Sequence, residues 1–277
     1  MKYNRILTIQ DISCLGQCSM TVALPILSAC GQETVILPSA VLSTHTGGFT
    51  KPHIRDLTED LPGIQAHWLR EGIRFDAIYT GYLGSIRQIG MVADMMDTLP
   101  VPGGKIIVDP AMADHGKLYS GFDAAYVEAM KALCAKADVL LPNLTEACLL
   151  TDTTYEDRYD EAFLSPVLRK LQQLGAKCVV LTGYSAAPGQ TGVLILEGET
   201  HHIYSHPKVG RGYHGTGDAF ASAFVGCWLG GKGMEEAAAI AADFISKCIE
   251  NTVGDEHHGY GTKFETALPY LLQRLYT

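Results

Sequence analysis

The sequence predicts an α/β chain built on a mostly parallel sheet, with helices on both of its faces. Three observations lead there. Short apolar runs that read as buried strands alternate with longer stretches of helical periodicity along most of the 277 residues. Gly31 and Gly175 stand where two helices must stop before the next strand begins. Polar residues and glycines recur just after the apolar runs, at the C-terminal strand edge where ligands gather in sheets of this kind.

The strand-like runs lie at 6–10, 33–38, 77–80, 105–109, 139–141 and 178–182. Helical stretches fall at 20–30, 55–71, 86–98, 123–136, 145–151 and 160–174. Segments 192–197 and 200–204, joined by Gly198-Glu199, read as a hairpin at one edge of the sheet. Two helices, 217–229 and 234–250, close the fold. No repeat, linker or low-complexity stretch interrupts the chain, so one domain over 1–277 is expected.

Composition narrows the function. An apolar content of 47% supports a large core, and 21 basic against 30 acidic residues give a net charge of −9. Without a block of Lys or Arg, a nucleic-acid or anionic membrane partner is not expected. The first residues run straight into an apolar strand pattern, without the features of a signal peptide. The apolar stretch at 219–230 is too short to span a bilayer. Eight cysteines are scattered without a C-x-x-C pair, which suits reduced thiols in a cytoplasmic protein. Cys14 and Cys18 lack the second ligand pair that a metal site would need.

The most informative stretch is His-Gly-Thr-Gly-Asp-Ala-Phe-Ala-Ser-Ala-Phe at 214–224. Gly215 and Gly217 bracket Thr216, and a helix of small residues follows. Glycines let a backbone approach a ligand closely, and a helix start offers unpaired N–H groups and positive charge to a phosphate. Asp218 beside such an anion cradle would repel a phosphate, unless its role is to take the proton of an attacking hydroxyl. An ordinary N-cap is the other reading of Asp218, and the sequence leaves both open. Gly210, Gly212 and Gly215 also fit a dinucleotide fingerprint, but a helix rather than a strand follows the helix they open. Gly226, Gly231 and Lys232 imitate a P-loop, except that Gly233 stands where Ser or Thr should hold magnesium.

The other polar clusters are Gln10-Asp11, Ser43 to Gly48, Thr80 to Ser85, Asp109-Pro110, Pro142 to Glu146, and Thr182 to Tyr184. Taken with G-T-G-D at 215–218, these motifs resemble the ribokinase-like superfamily over nearly the whole chain. P-N-L-T-E at 142–146 and G-T-G-D carry the superfamily likeness. V-D-P-A-M at 108–112 belongs to the same likeness, while S-T-H-T-G-G at 43–48 and T-G-Y-L-G-S at 80–85, with L-x-x-x-G at 27–31 and I-Q at 9–10, point within it to the pyridoxal kinase group. The resemblance implies a three-layer α/β/α fold and transfer of the γ-phosphate of ATP to the 5′-hydroxyl of pyridoxal, pyridoxamine or pyridoxine. It further implies Mg²⁺, often K⁺, and a homodimer.

Carried over by position, the resemblance makes Asp218 the general base and Gly215, Thr216 and Gly217 the anion hole. Asp109, Asn143 and Glu146 would organise the Mg²⁺–phosphate end, with Asp109 and Glu146 toward the metal and Thr182-Gly183 near ATP. The alternative for Asn143 and Glu146 is a capping box. His45 and Thr46 would meet the pyridine ring and its substituents, and Tyr82 would pack on the ring unless it is a structural aromatic. Tyr119 belongs to the segment that covers ATP in relatives. Tyr213, His214 and Arg211 are candidates for phosphate contacts; His214 and the His257-His258 pair also read as ordinary histidines.

Asp11 departs from the pattern, since many relatives have Ser there. An ionised carboxylate suits a protonated ring nitrogen or an amine, which would favour pyridoxamine. Thr182-Gly183 replaces a lysine-containing turn of some relatives. Three readings compete with a vitamin B6 kinase: a hydroxymethylpyrimidine kinase of thiamine synthesis, a sugar kinase, and a non-catalytic B6-binding relative. The first would carry a glycine-rich segment after strand one, and the second an N-terminal Gly-Gly motif. The third would have no use for a base.

Overall fold

A computed structural model describes residues 2–157, 159–185, 187–210 and 212–276. The chain begins β1 (Arg5–Ser13), α1 (Met20–Ala29), β2 (Glu33–Leu42), β3 (Ile54–Asp56), α2 (Leu61–Arg70), β4 (Phe75–Thr80) and α3 (Ile86–Thr98). It continues with β5 (Pro100–Val108), β6 (Ala113–Asp114), β7 (Lys117–Leu118), α4 (Ala124–Cys134), β8 (Val139–Leu140), α5 (Leu144–Leu150) and α6 (Glu161–Gln173). The last elements are β9 (Cys178–Tyr184), β10 (Gln190–Glu197), β11 (Thr200–Pro207), α7 (Thr216–Leu229), α8 (Met234–Glu250) and α9 (Leu268–Tyr276). A 3₁₀ turn (Phe264–Ala267) leads into α9.

The chain divides into two compact units, one formed by 1–57 with 207–277 and the other by 58–206. In the first, β1 pairs in parallel with β2, and the short β3 runs antiparallel on the outer side of β2. In the second, β4, β5, β8 and β9 are parallel neighbours, and β10 turns back antiparallel on β9. The β10–β11 hairpin forms the end of that sheet, as its two-residue connection requires. The alternation of β and α with mostly parallel pairing is the α/β architecture the sequence predicts.

Capping explains where several helices begin. Ser85 accepts from the Gln88 N–H at 3.2 Å, and Asp123 from the Tyr126 N–H at 3.0 Å. Asp160 accepts from the Phe163 N–H at 2.9 Å. Each satisfies an N–H that the helix itself cannot. Helix α2 begins later than expected, because Pro62 belongs in a first turn and 54–56 is taken up by β3.

Helix α7 is buried all round from Ala219 to Cys227, with Phe220, Phe224 and Trp228 stacked along it. A side chain on Gly226 would meet the Cys30 Sγ at 2.7 Å, so α1 and α7 approach through small residues. Burying Phe224 completely contributes ~1.5–3 kcal/mol, so the start of α7 rests on a firm support. Six of the eight cysteines are buried, and all eight are free thiols.

The structure adds elements that periodicity does not reveal. Strands β6 and β7 are only two residues each. Helix α9 follows a turn-rich stretch and buries only Leu271 and Leu275. Strand β1 runs on past Gln10, so Asp11 lies within the strand rather than beyond it. The β1–β2 register shifts between Gln10 and Ile12, and this irregularity falls at Asp11. Among the described residues, no helix is long and apolar enough to cross a membrane.

Candidate active site

In the first unit the site is built around the start of α7. Gly215 is the N-cap, with φ 76° and ψ 3°. A Cβ there would run into the Gln17 carbonyl oxygen, so only glycine fits the turn. Beyond it, the first-turn N–H groups of Thr216, Gly217 and Asp218 have no acceptor within the helix, the arrangement that suits a phosphate oxygen. The Thr216 hydroxyl is turned back to the Tyr213 carbonyl at 3.0 Å.

Asp218 is therefore the third residue of the helix, not its cap. Its Oδ2 accepts the Ser19 N–H at 2.9 Å. The residue keeps some accessible surface, yet enough protein surrounds its carboxyl to raise its pKa to about 6. Burial is the main cause and the Asp11 charge adds to it, while the Ser19 hydrogen bond opposes both. Asp11 is buried, and its Oδ2 accepts the Ser13 hydroxyl at 3.1 Å. Burial raises its pKa against the hydroxyls of Ser19 and Ser13. Burial, then the charges of Asp218 and Asp11, push the Cys18 thiol far up, so it carries no thiolate chemistry.

His45 is buried within the 43–48 segment. Its Nδ1 accepts the Gly47 N–H at 3.1 Å, so Nε2 carries the proton and donates to the Tyr260 carbonyl at 3.0 Å. Both ring nitrogens are thus engaged within the protein, and burial lowers the pKa of the ring. The ring meets the Phe49 ring edge-on at 5.1 Å and lies 5.2 Å from that of His214. Thr46 and His214 are exposed. His258 bonds to the Gly261 carbonyl at 2.9 Å and packs on Tyr260, a local structural role. Arg211 lies outside the described residues.

The Tyr260 carbonyl also takes the Gln17 N–H at 3.4 Å, so His45 ties the 43–49 loop to two neighbouring segments. Protonating His45 would turn Nδ1 against the Gly47 N–H. Its folded pKa lies below the ordinary 6.5, so its contribution to stability is lost as pH falls below 6.5. His45→Gln is expected to flatten that part of a melting-temperature profile measured between pH 5 and 8.

In the second unit, Asn143 and Glu146 form a complete capping box on α5. Asn143 Oδ1 accepts the Glu146 N–H at 2.9 Å, and Glu146 Oε2 accepts the Asn143 N–H at 2.9 Å. Glu146 Oε1 takes the Met112 N–H at 3.0 Å and, more weakly, that of Ala113 at 3.5 Å. Asn143 Nδ2 donates to the Ala113 carbonyl at 2.8 Å. The pair thus clamps the 112–113 turn onto the start of α5. Burial raises the pKa of Glu146 to about 7 despite its three backbone donors.

Asp109 stands just past the end of β5, its Oδ1 accepting the Ala111 N–H at 3.1 Å. Magnesium travelling with nucleotide phosphates needs only one or two carboxylates, so Asp109 fits such an ion in its chemistry. Glu146 does not fit as a direct ligand, because it is buried and both of its oxygens bind backbone N–H groups. Thr182 bonds through its N–H to the Pro142 carbonyl at 2.9 Å, which sets Thr182-Gly183 beside Asn143. Tyr82 stacks on Phe122 at 5.5 Å, and Phe122 on Tyr126 at 3.7 Å. The Tyr126 hydroxyl closes this stack on the Leu83 carbonyl at 2.7 Å. Tyr119 is exposed, and its N–H bonds to the Met112 carbonyl at 2.9 Å.

The structure therefore brings Asp11, Asp218 and Gly215–Gly217 together in one unit, and Asp109, Asn143, Glu146 and Thr182 in the other. Sequence reasoning misses Ser13, Ser19 and the Tyr260 carbonyl. Ser19 acts partly through a backbone N–H on a residue 199 positions from its partner, for which no motif exists.

The sequence profile of the phosphomethylpyrimidine kinase family matches residues 26–262. A Bacteroides thetaiotaomicron protein put forward as a phosphomethylpyrimidine kinase, crystallised with pyridoxal, is 37% identical with a TM-score of 0.92. The match covers 98% of this chain and 96% of that one. Pyridoxal kinase from Lactobacillus plantarum is 32% identical with a TM-score of 0.90, over 98% of this chain and 97% of that one. The hydroxymethylpyrimidine/phosphomethylpyrimidine kinase of Bacillus subtilis is 28% identical over 78% of each chain. The chain belongs to the phosphomethylpyrimidine kinase family, and its fold is the ribokinase-like fold of the pyridoxal kinases.

Proposed function

We propose that this chain transfers the γ-phosphate of ATP to the 5′-hydroxymethyl group of a vitamin B6 vitamer, giving the 5′-phosphate and ADP. The observation that carries this reading is a part-buried carboxylate, Asp218, in the first turn of a glycine-opened helix whose free N–H groups suit a phosphate. The likeness to a protein crystallised with pyridoxal supports the choice of acceptor.

In this reading the 5′-oxygen attacks the γ-phosphorus while its proton passes to Asp218. Oδ2 is held by the Ser19 N–H, so Oδ1 is the oxygen that takes the proton. Gly215, Thr216 and Gly217 shape the backbone donors that stabilise charge on the transferring phosphoryl group. Asp109 would hold Mg²⁺, which when bound neutralises phosphate charge. Asn143 and Glu146 keep the 112–113 turn and the Thr182-Gly183 segment in place rather than binding the metal.

A hydroxymethylpyrimidine acceptor is the second reading, favoured by the likeness to the Bacillus subtilis enzyme. It uses the same base and anion hole on another heteroaromatic hydroxymethyl group. ADP release with ATP, Mg²⁺ and K⁺ against pyridoxal, pyridoxamine, pyridoxine and hydroxymethylpyrimidine tests the choice. Turnover of a B6 vitamer is expected, and turnover of the pyrimidine alone would assign the second reading. Binding of a vitamer without ADP release would make the chain a non-catalytic relative.

A further inference from the structure

His214 stands one residue ahead of Gly215, the glycine that opens the anion hole. Its ring lies 5.2 Å from that of His45, tilted by 47°. The same ring covers Gly47. A Cβ there would meet the His214 Cε1 at 2.6 Å and Nδ1 at 2.7 Å, closer than a side chain can sit, and its three nearest atoms all belong to that ring. Gly47 is held from a second direction as well, because its N–H donates to His45 Nδ1 at 3.1 Å. His45 itself has little room to yield: both of its nitrogens are engaged, and a Cβ on Gly16 would run into its ring. Among the described residues, neither nitrogen of His214 has a hydrogen-bond partner, so its ring acts here through its shape.

We propose that His214 is a positioning residue, its ring the spacer that fixes the turn through Thr46 and Gly47 relative to the anion hole. The spacing sets how the hydroxymethyl group of the acceptor meets the transferring phosphoryl group. The inference rests on the proposed function, with Thr46 beside the acceptor and Gly215–Gly217 around the phosphate. Exposed Thr46 lies between the two residues that the stack holds, His45 and Gly47. Without the ring, the turn is free to close on the space it filled, and a shift of about 1 Å between reacting groups can cost ~10²-fold in rate.

Steady-state kinetics with the acceptor that the chain turns over test this in His214→Ala, His214→Phe, Gly47→Ala and the double variant of the two alanines, beside melting temperatures. His214→Ala is expected to lower kcat/KM for the acceptor by ~10- to 100-fold, with KM for ATP nearly unchanged. His214→Phe keeps a ring over Gly47 and should restore most of that loss. The Gly47 backbone is not left-handed, so the His214 ring is what stands in the way of alanine there. Gly47→Ala should therefore be as harmful as His214→Ala by itself, yet add little to it in the double variant, where the space is open. Losses that multiply in the double variant would overturn the proposal. So would His214→Phe as impaired as His214→Ala, which would assign the imidazole nitrogens a direct contact. Equal rises in both KM values, or a loss matched by a fall in melting temperature, would overturn it in favour of a purely structural ring. All of these outcomes leave Asp218 as the base. A wild-type chain that turns over no acceptor would overturn both this inference and the proposed function.

Discussion

Asp218→Asn is expected to lower kcat by ~10²–10⁴-fold, the usual contribution of a positioned base, with little change in KM for either substrate. Asparagine has the same shape and still accepts the Ser19 N–H, but it cannot take a proton. Stability should move the opposite way to activity. The folded pKa of Asp218, about 6, lies above the ordinary 3.8, so the folded state binds the proton more tightly. Its contribution is fully present below 3.8 and is lost as pH rises through about 6. At pH 8 the ionised carboxylate then costs on the order of 3 kcal/mol that asparagine does not. Thermal unfolding at pH 5 and pH 8 should show the variant gaining on the wild type at the higher pH. A variant that lost stability and activity together would instead mark Asp218 as structural.

Gly215→Ala should be the most damaging single methyl group in the chain. At φ 76° a side chain is strained, and the new Cβ would run into the Gln17 carbonyl oxygen. Strain alone costs ~1–3 kcal/mol, and the clash adds to it. Either the turn opens, removing the anion hole, or the 14–19 segment that carries Ser19 shifts away from Asp218. Both routes end activity, so kcat and the melting temperature should fall together. Gly217→Ala provides the contrast. A Cβ there meets nothing within 4 Å, so folding should be unaffected. Any loss of activity in Gly217→Ala then reports how closely the phosphoryl group approaches that backbone.

The parts of the fold that were legible in the sequence are those governed by local rules. Apolar runs marked the inner strands, and Gly31 and Gly175 marked helix ends, because burial and backbone handedness act over a few residues. The start of α7 was legible for the same reason, since Gly-Thr-Gly-Asp before a small-residue helix has few other uses. Strand β3 and helix α9 were hidden: one is three residues long, and the other buries only two side chains. The sequence also posed alternatives that only geometry separates. The Asn143–Glu146 spacing fits a metal end and a capping box equally, and the two backbone N–H groups on Glu146 Oε1 come from a turn more than thirty residues away. His45 reads as a substrate contact until Gly47 and Tyr260 are seen to occupy both of its nitrogens. Asp218 and Ser19 stand far apart in the chain, and the N–H that Ser19 gives to Asp218 comes from a strained backbone that no motif encodes.

The most direct test of the central claim is a competition assay. Equimolar pyridoxal and hydroxymethylpyrimidine are incubated with the enzyme, ATP and Mg²⁺, and the products are identified by mass spectrometry and ³¹P NMR. The account predicts pyridoxal 5′-phosphate as the main product, formed with one ADP per phosphate and absent with Asp218→Asn. Phosphorylated pyrimidine as the main product, or pyridoxal 5′-phosphate formed equally well by Asp218→Asn, would contradict it.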